Sequence, residues 1–167
     1  MKIFYEVREI NLIDCIADAG TLIRLAFADV ADEFHLTPAN CANSPAFLSD
    51  VDMLDSLRRP GAICFGAFQS DSNVLVGFAA IRPKGCGAYE LTRLCVLPEH
   101  RHAGLGARLV QAAVQAAKER GTRRMGIGII AENERLKAWY EGHGFRAMAE
   151  REYGHLPFRV CEMEREI

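Results

Sequence analysis

Apolar residues along the chain follow two periods, one typical of helices and one typical of strands. One early segment repeats them at three- and four-residue steps, as one face of a helix does: Leu12, Ile16, Ala19, Ile23, Phe27 and Val30. The same period predicts a long helix over about 104–120, which ends at Gly121. Two shorter helices are predicted, one after Ser49 and one over about 133–142, and the polar segment 34–50 is predicted to be a loop.

Short apolar runs bounded by turn residues account for most of the rest of the chain. The predicted strands are 2–9, 62–69, 74–82, 88–97, 124–131, 145–152 and 158–165. Tight turns join the three middle strands, which favours an antiparallel meander. The helix after 88–97 predicts that this strand and 124–131 pair in parallel through a right-handed crossover. The expected fold is α+β, with a mixed, mostly antiparallel sheet of six to seven strands and helices on both faces.

Composition limits the classes of protein that need to be considered. The chain has 167 residues, half of them hydrophobic and a quarter charged, which fits one domain over 1–167. A net charge of −2 with scattered Lys and Arg gives no reason to expect nucleic acid, and no apolar run approaches the ~18 residues of a membrane span. The six cysteines form no C-x-x-C pair, so we expect free thiols, no metal and a cytoplasmic location.

The segment 94–106 carries the clearest chemical signal. An apolar strand ends at Val96, and a short loop with Arg101, Gly104 and Gly106 leads into the long helix. The first N–H groups of a helix lack intrahelical partners and carry partial positive charge. Glycines let a phosphate approach those N–H groups closely, so this loop is predicted to bind an anion.

The loop differs from a dinucleotide-binding fingerprint. Arg108 and Leu109 stand where a third glycine is required, and an antiparallel meander precedes the loop. Both features argue against a nicotinamide-dependent oxidoreductase.

Two ordered motifs instead resemble those of the GNAT superfamily of N-acetyltransferases. Arg101-x-x-Gly104-x-Gly106 after Val96-x-Pro98 is similar to that family's coenzyme A pyrophosphate loop. Downstream, Asn133-x-x-x-Lys137-x-x-Tyr140-Glu141-x-x-Gly144-Phe145 is similar to its second signature, at the family's spacing. The resemblance covers about 74–150, and the first 60 residues carry no comparable motif.

The resemblance implies a splayed pair of parallel strands that admits acetyl-CoA as co-substrate. It assigns cofactor contacts to Leu94, Cys95, Val96, Arg101, His102, Ala103, Gly104, Leu105, Gly106, Ala107 and Asn133. The implied acceptor is a primary amine of a small molecule or peptide, and homodimers are common among similar proteins. The alternative is a non-catalytic acyl-CoA-binding or regulatory domain of the same fold.

Acetyl transfer to an amine requires a base, since an alkyl ammonium is only about 0.1% neutral at pH 7. Glu90 is the predicted base, because it lies six residues before Val96, on the same strand face by simple alternation. That spacing is similar to the family's histone-acetylating branch. The ribosomal-protein branch has its glutamate where this chain has Gly128, which excludes that mode. Glu90 has an alternative reading as a solvated carboxylate, and five histidines remain other candidates: His35, His100, His102, His143 and His155.

The resemblance also supplies an acid and an oxyanion donor. Tyr140 is implied to protonate the departing thiolate, although it is also placed to pack beside Trp139 and Phe145. The backbone N–H of Val96 or Cys95 is implied to bind the acetyl oxygen. Asn133 is expected to contact the cofactor, cap a helix, or do both. The Cys95 side chain is interpreted as a small buried apolar group rather than a nucleophile.

Overall fold

The computed structural model describes residues 3–167, and this part of the chain folds around one seven-stranded sheet. The strands are β1 (Tyr5–Ile10), β2 (Ile63–Gln69), β3 (Val74–Lys84), β4 (Ala88–Val96), β5 (Arg124–Ile130), β6 (Arg146–Glu152) and β7 (Arg159–Glu166). They lie in the order β1-β2-β3-β4-β5-β7-β6, and the β4–β5 pair alone is parallel. The predicted α+β class and mixed sheet are confirmed. Lys2, the first residue of the predicted opening strand, lies outside the described residues.

The helices begin where capping residues allow it. They are α1 (Leu12–Glu33), α2 (Asp50–Leu57), α3 (Leu105–Glu119) and α4 (Glu134–Glu141), with a short 3-10 turn at Pro98–His100. The side chains of Asn11, Ser49 and Asn133 each accept a hydrogen bond from the first turn of α1, α2 and α4. In α3 the cap is Gly104, whose φ of 75° is a left-handed conformation that glycine adopts without strain.

Helices cover both faces of the sheet. On one face, α3 buries Leu109 and Ala113 in a cluster with Ile81 and Met125. On the other face, α1 and α2 pack against the neighbouring strand positions, among them Phe78. A smaller apolar cluster forms where the segment after α1 approaches the β6–β7 hairpin. These layers hold β4 and β5 at the centre of the sheet.

The two parallel strands pair only at their beginnings. Their register contains the pairs Ala88–Arg124, Tyr89–Met125 and Glu90–Gly126. Among the described residues, no later residue of β4 pairs with a residue of β5. Beyond Glu90 the strands diverge, as the splayed pair predicted above requires.

A bulge in β4 corrects the predicted placement of Glu90. The register with β3 shifts between Phe78 and Ala80, and Arg93 adopts a φ of 55° there. The extra residue reverses the alternation, so Glu90 lies on the α1–α2 face while Val96 packs with the cluster on the α3 face. The prediction that Glu90 and Val96 share a face is therefore wrong.

Among residues 3–167, the helices are all too short or too polar to cross a membrane.

Candidate active site

Two cavities open on either side of the divergence between β4 and β5. The first, called the loop cavity here, has a volume of about 600 Å³. The loop before α3, the end of β4, α4 and part of α1 form its wall. The second, called the strand cavity, has a volume of about 320 Å³ and is bounded by β4, β5 and the segments 36–45 and 156–160. Six residues line both cavities: Phe27, Val30, Leu94, Asn133, Leu136 and Tyr140. The cavities therefore meet along one short boundary.

The loop before α3 presents a row of free backbone donors. Among the described residues, no backbone hydrogen bond is formed by the N–H groups of 102–107, whereas Arg108 donates to the Gly104 carbonyl at 3.1 Å. These N–H groups lie at the positive end of the α3 dipole. Gly106 also packs closely, since a Cβ there would lie 3.2 Å from the Trp139 ring. The arrangement suits a phosphate group.

The Arg101 side chain lines the same cavity and ties the loop to α1 and to the end of β4. Its Nη2 donates to the Ala26 carbonyl at 3.0 Å, and its Nη1 forms an ion pair with Asp29. Its Nε donates to the Val96 carbonyl at 3.0 Å. Partial burial raises the pKa of Asp29, but the hydrogen bond and charge of Arg101 outweigh it and leave that pKa below its usual value. Because Arg101 already binds Asp29 and two backbone carbonyls, the N–H groups of 102–107 are the groups left to bind an anion.

The backbone at the end of β4 offers one donor to the gap. The Leu97 N–H donates to the Val76 carbonyl on β3 at 2.9 Å. Since hydrogen-bonding directions alternate along an antiparallel pair, the Cys95 N–H points to β3 and the Val96 N–H points into the gap. Of the two predicted oxyanion donors, Val96 is the one so directed.

The Cys95 thiol is fully enclosed. Burial raises its pKa to about 12, so at neutral pH it is a protonated apolar group. That supports its interpretation as a core residue.

Tyr140 packs as a core aromatic and also faces both cavities. The ring is 3% exposed and makes edge contacts with Trp139 and Phe145, at centroid distances of 4.9 and 5.4 Å. Its hydroxyl has no hydrogen-bond partner within residues 3–167, and the residue lines both cavities. Burial, with a smaller effect of Cys95, raises its pKa, so the phenol stays protonated at neutral pH and is able to donate.

Asn133 lies beside Tyr140 at the start of α4. Its Oδ1 accepts the Leu136 N–H at 3.1 Å, which accounts for the helix cap. The side chain is buried and lines both cavities.

Glu90 lines the strand cavity at the point where β4 and β5 separate. Its Oε2 accepts from Arg82, at 2.7 Å from Nε and 2.6 Å from Nη2. Its Oε1 lies 3.9 Å from the Lys84 Nζ. The carboxylate faces the cavity while it is held by a cation from the neighbouring strand.

The other predicted residues divide between the site and its surroundings. His102 lines the loop cavity, and Leu105 does so while it anchors α3 in the core. His100 hydrogen bonds the Tyr5 hydroxyl at 3.0 Å, and His143 bonds the Trp139 carbonyl at 2.8 Å. Four further residues are absent from the lining of both cavities: Ala103, Ala107, His35 and His155.

Sequence reasoning named Glu90, Leu94, Asn133 and Tyr140 in the wall of the strand cavity and missed the other residues that form it. Arg93 is the main example, and its signal was a charged residue inside an apolar strand. Several others come from segments without a motif: Leu36, Asn43, Ser44, Leu156 and Phe158.

Comparisons with known proteins agree with this geometry. The model of the "Acetyltransferase (GNAT) family" matches residues 27–145. A Bacillus subtilis (strain 168) protein described as an uncharacterized N-acetyltransferase, YjcF, is 29% identical over 92 residues, which are 51% of this chain and 64% of the relative. The match therefore spans less than two thirds of that relative.

Two solved structures share the fold over nearly the whole chain. The ribosomal-protein-S18-alanine N-acetyltransferase of Escherichia coli superposes with a TM-score of 0.75 at 18% identity, over 98% of this chain and 94% of the other. The PaiA N-acetyltransferase of Thermoplasma acidophilum, solved in complex with coenzyme A, gives 0.71 at 20% identity, over 98% and 99%.

Proposed function

The chain belongs to the GNAT acetyltransferase family, and from that premise we propose that it transfers the acetyl group of acetyl-CoA to a primary amine. The acceptor is a small molecule or a peptide, and the amine attacks the thioester directly. The observation that carries this proposal is that two cavities meet beside Leu94 near the end of β4 and share Tyr140 and Asn133 in their walls.

The loop cavity suits the acetyl-CoA side of the reaction. The unpaired N–H groups of 102–107 fit the pyrophosphate, and the gap between β4 and β5 fits the pantetheine arm. Arg101 supports this loop by tying it to α1. Asn133 lies where its amide reaches the same cavity.

The strand cavity suits the amine. The nitrogen lone pair attacks the thioester carbonyl carbon, and the Val96 N–H stabilises the oxygen as it gains charge. The C–S bond breaks, and the sulfur keeps the electron pair and takes a proton from Tyr140. The proton lost by the amine passes to Glu90 or to water, and Tyr140 regains its proton from solvent, which leaves one amide, one thiol and the enzyme in its starting state.

Thiol release measured with acetyl-CoA and an acceptor panel tests this proposal. The panel contains polyamines, amino acids, aminoglycosides and peptides with free N-termini, and calorimetry with coenzyme A is run beside it. We expect coenzyme A to bind and at least one acceptor to release thiol faster than the acceptor-free control. Binding without turnover on any amine would favour the non-catalytic acyl-CoA-binding domain, and absence of binding would reject both functions.

A further inference from the structure

The strand cavity is lined by an arginine side chain that has no hydrogen-bond or ion-pair partner among the described residues. Arg93 lies at the β4 bulge, and its Nε is enclosed yet forms no hydrogen bond. Within residues 3–167 no ion pair or hydrogen bond of any atom of this side chain is formed. Arginine does not lose its proton in proteins, so a positive charge without a hydrogen-bonded partner borders the cavity, although Glu90 attracts it from a distance.

The neighbouring charges leave this group unbalanced. The charged residues that line the strand cavity are Arg82, Glu90 and Arg93. Arg82 and Glu90 pair with each other, so the carboxylate is already engaged and the second guanidinium remains. The described wall therefore has a net charge of +1, which suits one monoanionic group better than a phosphate dianion.

The rest of the wall limits the size and polarity of a molecule that this cavity could bind. A volume of about 320 Å³ is at the small end of ligand pockets. Apolar side chains cover much of the wall, including Phe27, Leu36 and Phe158. The acceptor must reach the boundary at Tyr140 with its amine while its anion reaches Arg93.

We infer that the acceptor is a small amine that also carries a carboxylate, of the class of apolar amino acids, and that Arg93 binds this carboxylate. The inference rests on the proposed acetyl transfer and narrows its substrate. A guanidinium matches a carboxylate with two parallel N–H donors, which also directs the amine toward the thioester.

Matched acceptors test the inference through turnover. The panel compares leucine, phenylalanine and methionine with their amides and with the decarboxylated amines. We expect kcat/KM to be about 10- to 100-fold higher for the acids. In Arg93→Gln this preference should fall to within about twofold, while calorimetry gives an unchanged affinity for coenzyme A. Arg58→Gln, at an exposed arginine after α2, is the control and should keep the preference.

A second measurement does not depend on turnover. N-acetyl-leucine should raise the Tm of the parent protein but not of Arg93→Gln, and N-acetyl-leucinamide should shift neither. Without ligand, Arg93→Met should raise the Tm, because it removes a partly buried charge that has no hydrogen-bonded partner and keeps the backbone conformation. A dipeptide with N-terminal leucine distinguishes a carboxylate on a peptide from one on a free amino acid.

The outcomes separate the two proposals. Equal turnover of acids, amides and simple amines overturns the carboxylate inference and leaves acetyl transfer standing. An Arg93-dependent Tm shift supports carboxylate binding, and if the wide acceptor panel also gives no turnover, it rejects acetyl transfer. No preference and no Tm shift rejects the inference outright.

Discussion

At the scale of single residues, Tyr140 combines packing and chemistry. Its ring is held by Trp139 and Phe145, its hydroxyl has no hydrogen-bond partner among the described residues, and the residue lines both cavities. Because the ring contacts do not involve the hydroxyl, the two functions are separable by a single atom.

Tyr140→Phe should lower kcat by about 10- to 1,000-fold and leave coenzyme A affinity nearly unchanged. Removing the hydroxyl leaves no buried protein group without a partner, so the Tm should be preserved. Tyr153→Phe is the control, since Tyr153 is 39% exposed and lines neither cavity. A kcat within twofold of the parent on a good acceptor would restrict Tyr140 to packing.

The proposed role of Glu90 as the base can also be tested by changing a single group of the side chain. Glu90→Gln keeps the shape and an acceptor for Arg82 but removes the base, so kcat/KM should fall by about 100-fold. The acidic limb of the profile of kcat/KM against pH should vanish or move toward the pKa of the amine itself. The exposed Glu99→Gln serves as the control, because that carboxylate lies outside the lining of both cavities. If rate and profile match the parent, another group or water removes the proton.

At the scale of elements, the helices were predictable because their signals are local. Ser49 and Asn133 were predicted to cap helices, and they cap α2 and α4 in the structure. Asn11 caps α1 in the structure, although this cap was not predicted from the sequence. The bulge in β4 was not predictable, since arginine gives no residue-type signal for a φ of 55°. One extra residue reversed the face assigned to Glu90.

The same distinction applies to the candidate site. The loop, Asn133 and Tyr140 belong to motifs, and they line one cavity as the motifs imply. The strand cavity is built from segments far apart in the sequence, such as 36–45 and 156–160, which only tertiary packing brings together. The acceptor specificity of the strand cavity could therefore not be predicted from sequence motifs.

The loop before α3 offers a test at the level of the element. Gly106→Glu adds a side chain whose Cβ would lie 3.2 Å from the Trp139 ring, and it adds negative charge at a proposed phosphate site. Calorimetry should give a Kd for coenzyme A at least about 100-fold weaker. Gly154→Glu makes the same change in open space and should bind normally. Unchanged affinity in a folded Gly106→Glu protein would remove the loop from the binding site.

At the scale of the whole molecule, two cavities lie on either side of the gap between β4 and β5. They share a short boundary where six residues line both. The α3 face supplies the loop and its donors, while α1 and the segments at 36–45 and 156–160 help to close the other side. Arg101 links these halves, because it bonds both β4 and α1. A shift of the loop before α3 would therefore be transmitted through Arg101 to α1, which also lines the strand cavity.

Buried thiols make the stability of the whole fold sensitive to alkaline pH. Burial, aided by nearby acidic groups or thiols for Cys64, raises the pKa of Cys64 and Cys95 from 9.0 to about 12. Below pH 9 both states keep these protons, so the stabilising contribution is complete. As the pH rises from 9 toward 12, the unfolded chain releases protons that the folded chain retains. The free energy of unfolding should therefore fall by up to about 1.4 kcal/mol per pH unit for each thiol.

Urea unfolding at about pH 8 and about pH 10.5 measures this slope. The double variant Cys64→Ala, Cys95→Ala is expected to start less stable, since both side chains fill core space. Its stability should nevertheless decline less steeply with pH than that of the parent, because two of the titrating groups are gone. Cys86→Ser, at an exposed cysteine, should keep the parent slope. Parallel declines in the parent and the double variant would mean that the two thiols ionise equally in the folded and unfolded chains, and that other groups set the alkaline limit of the fold.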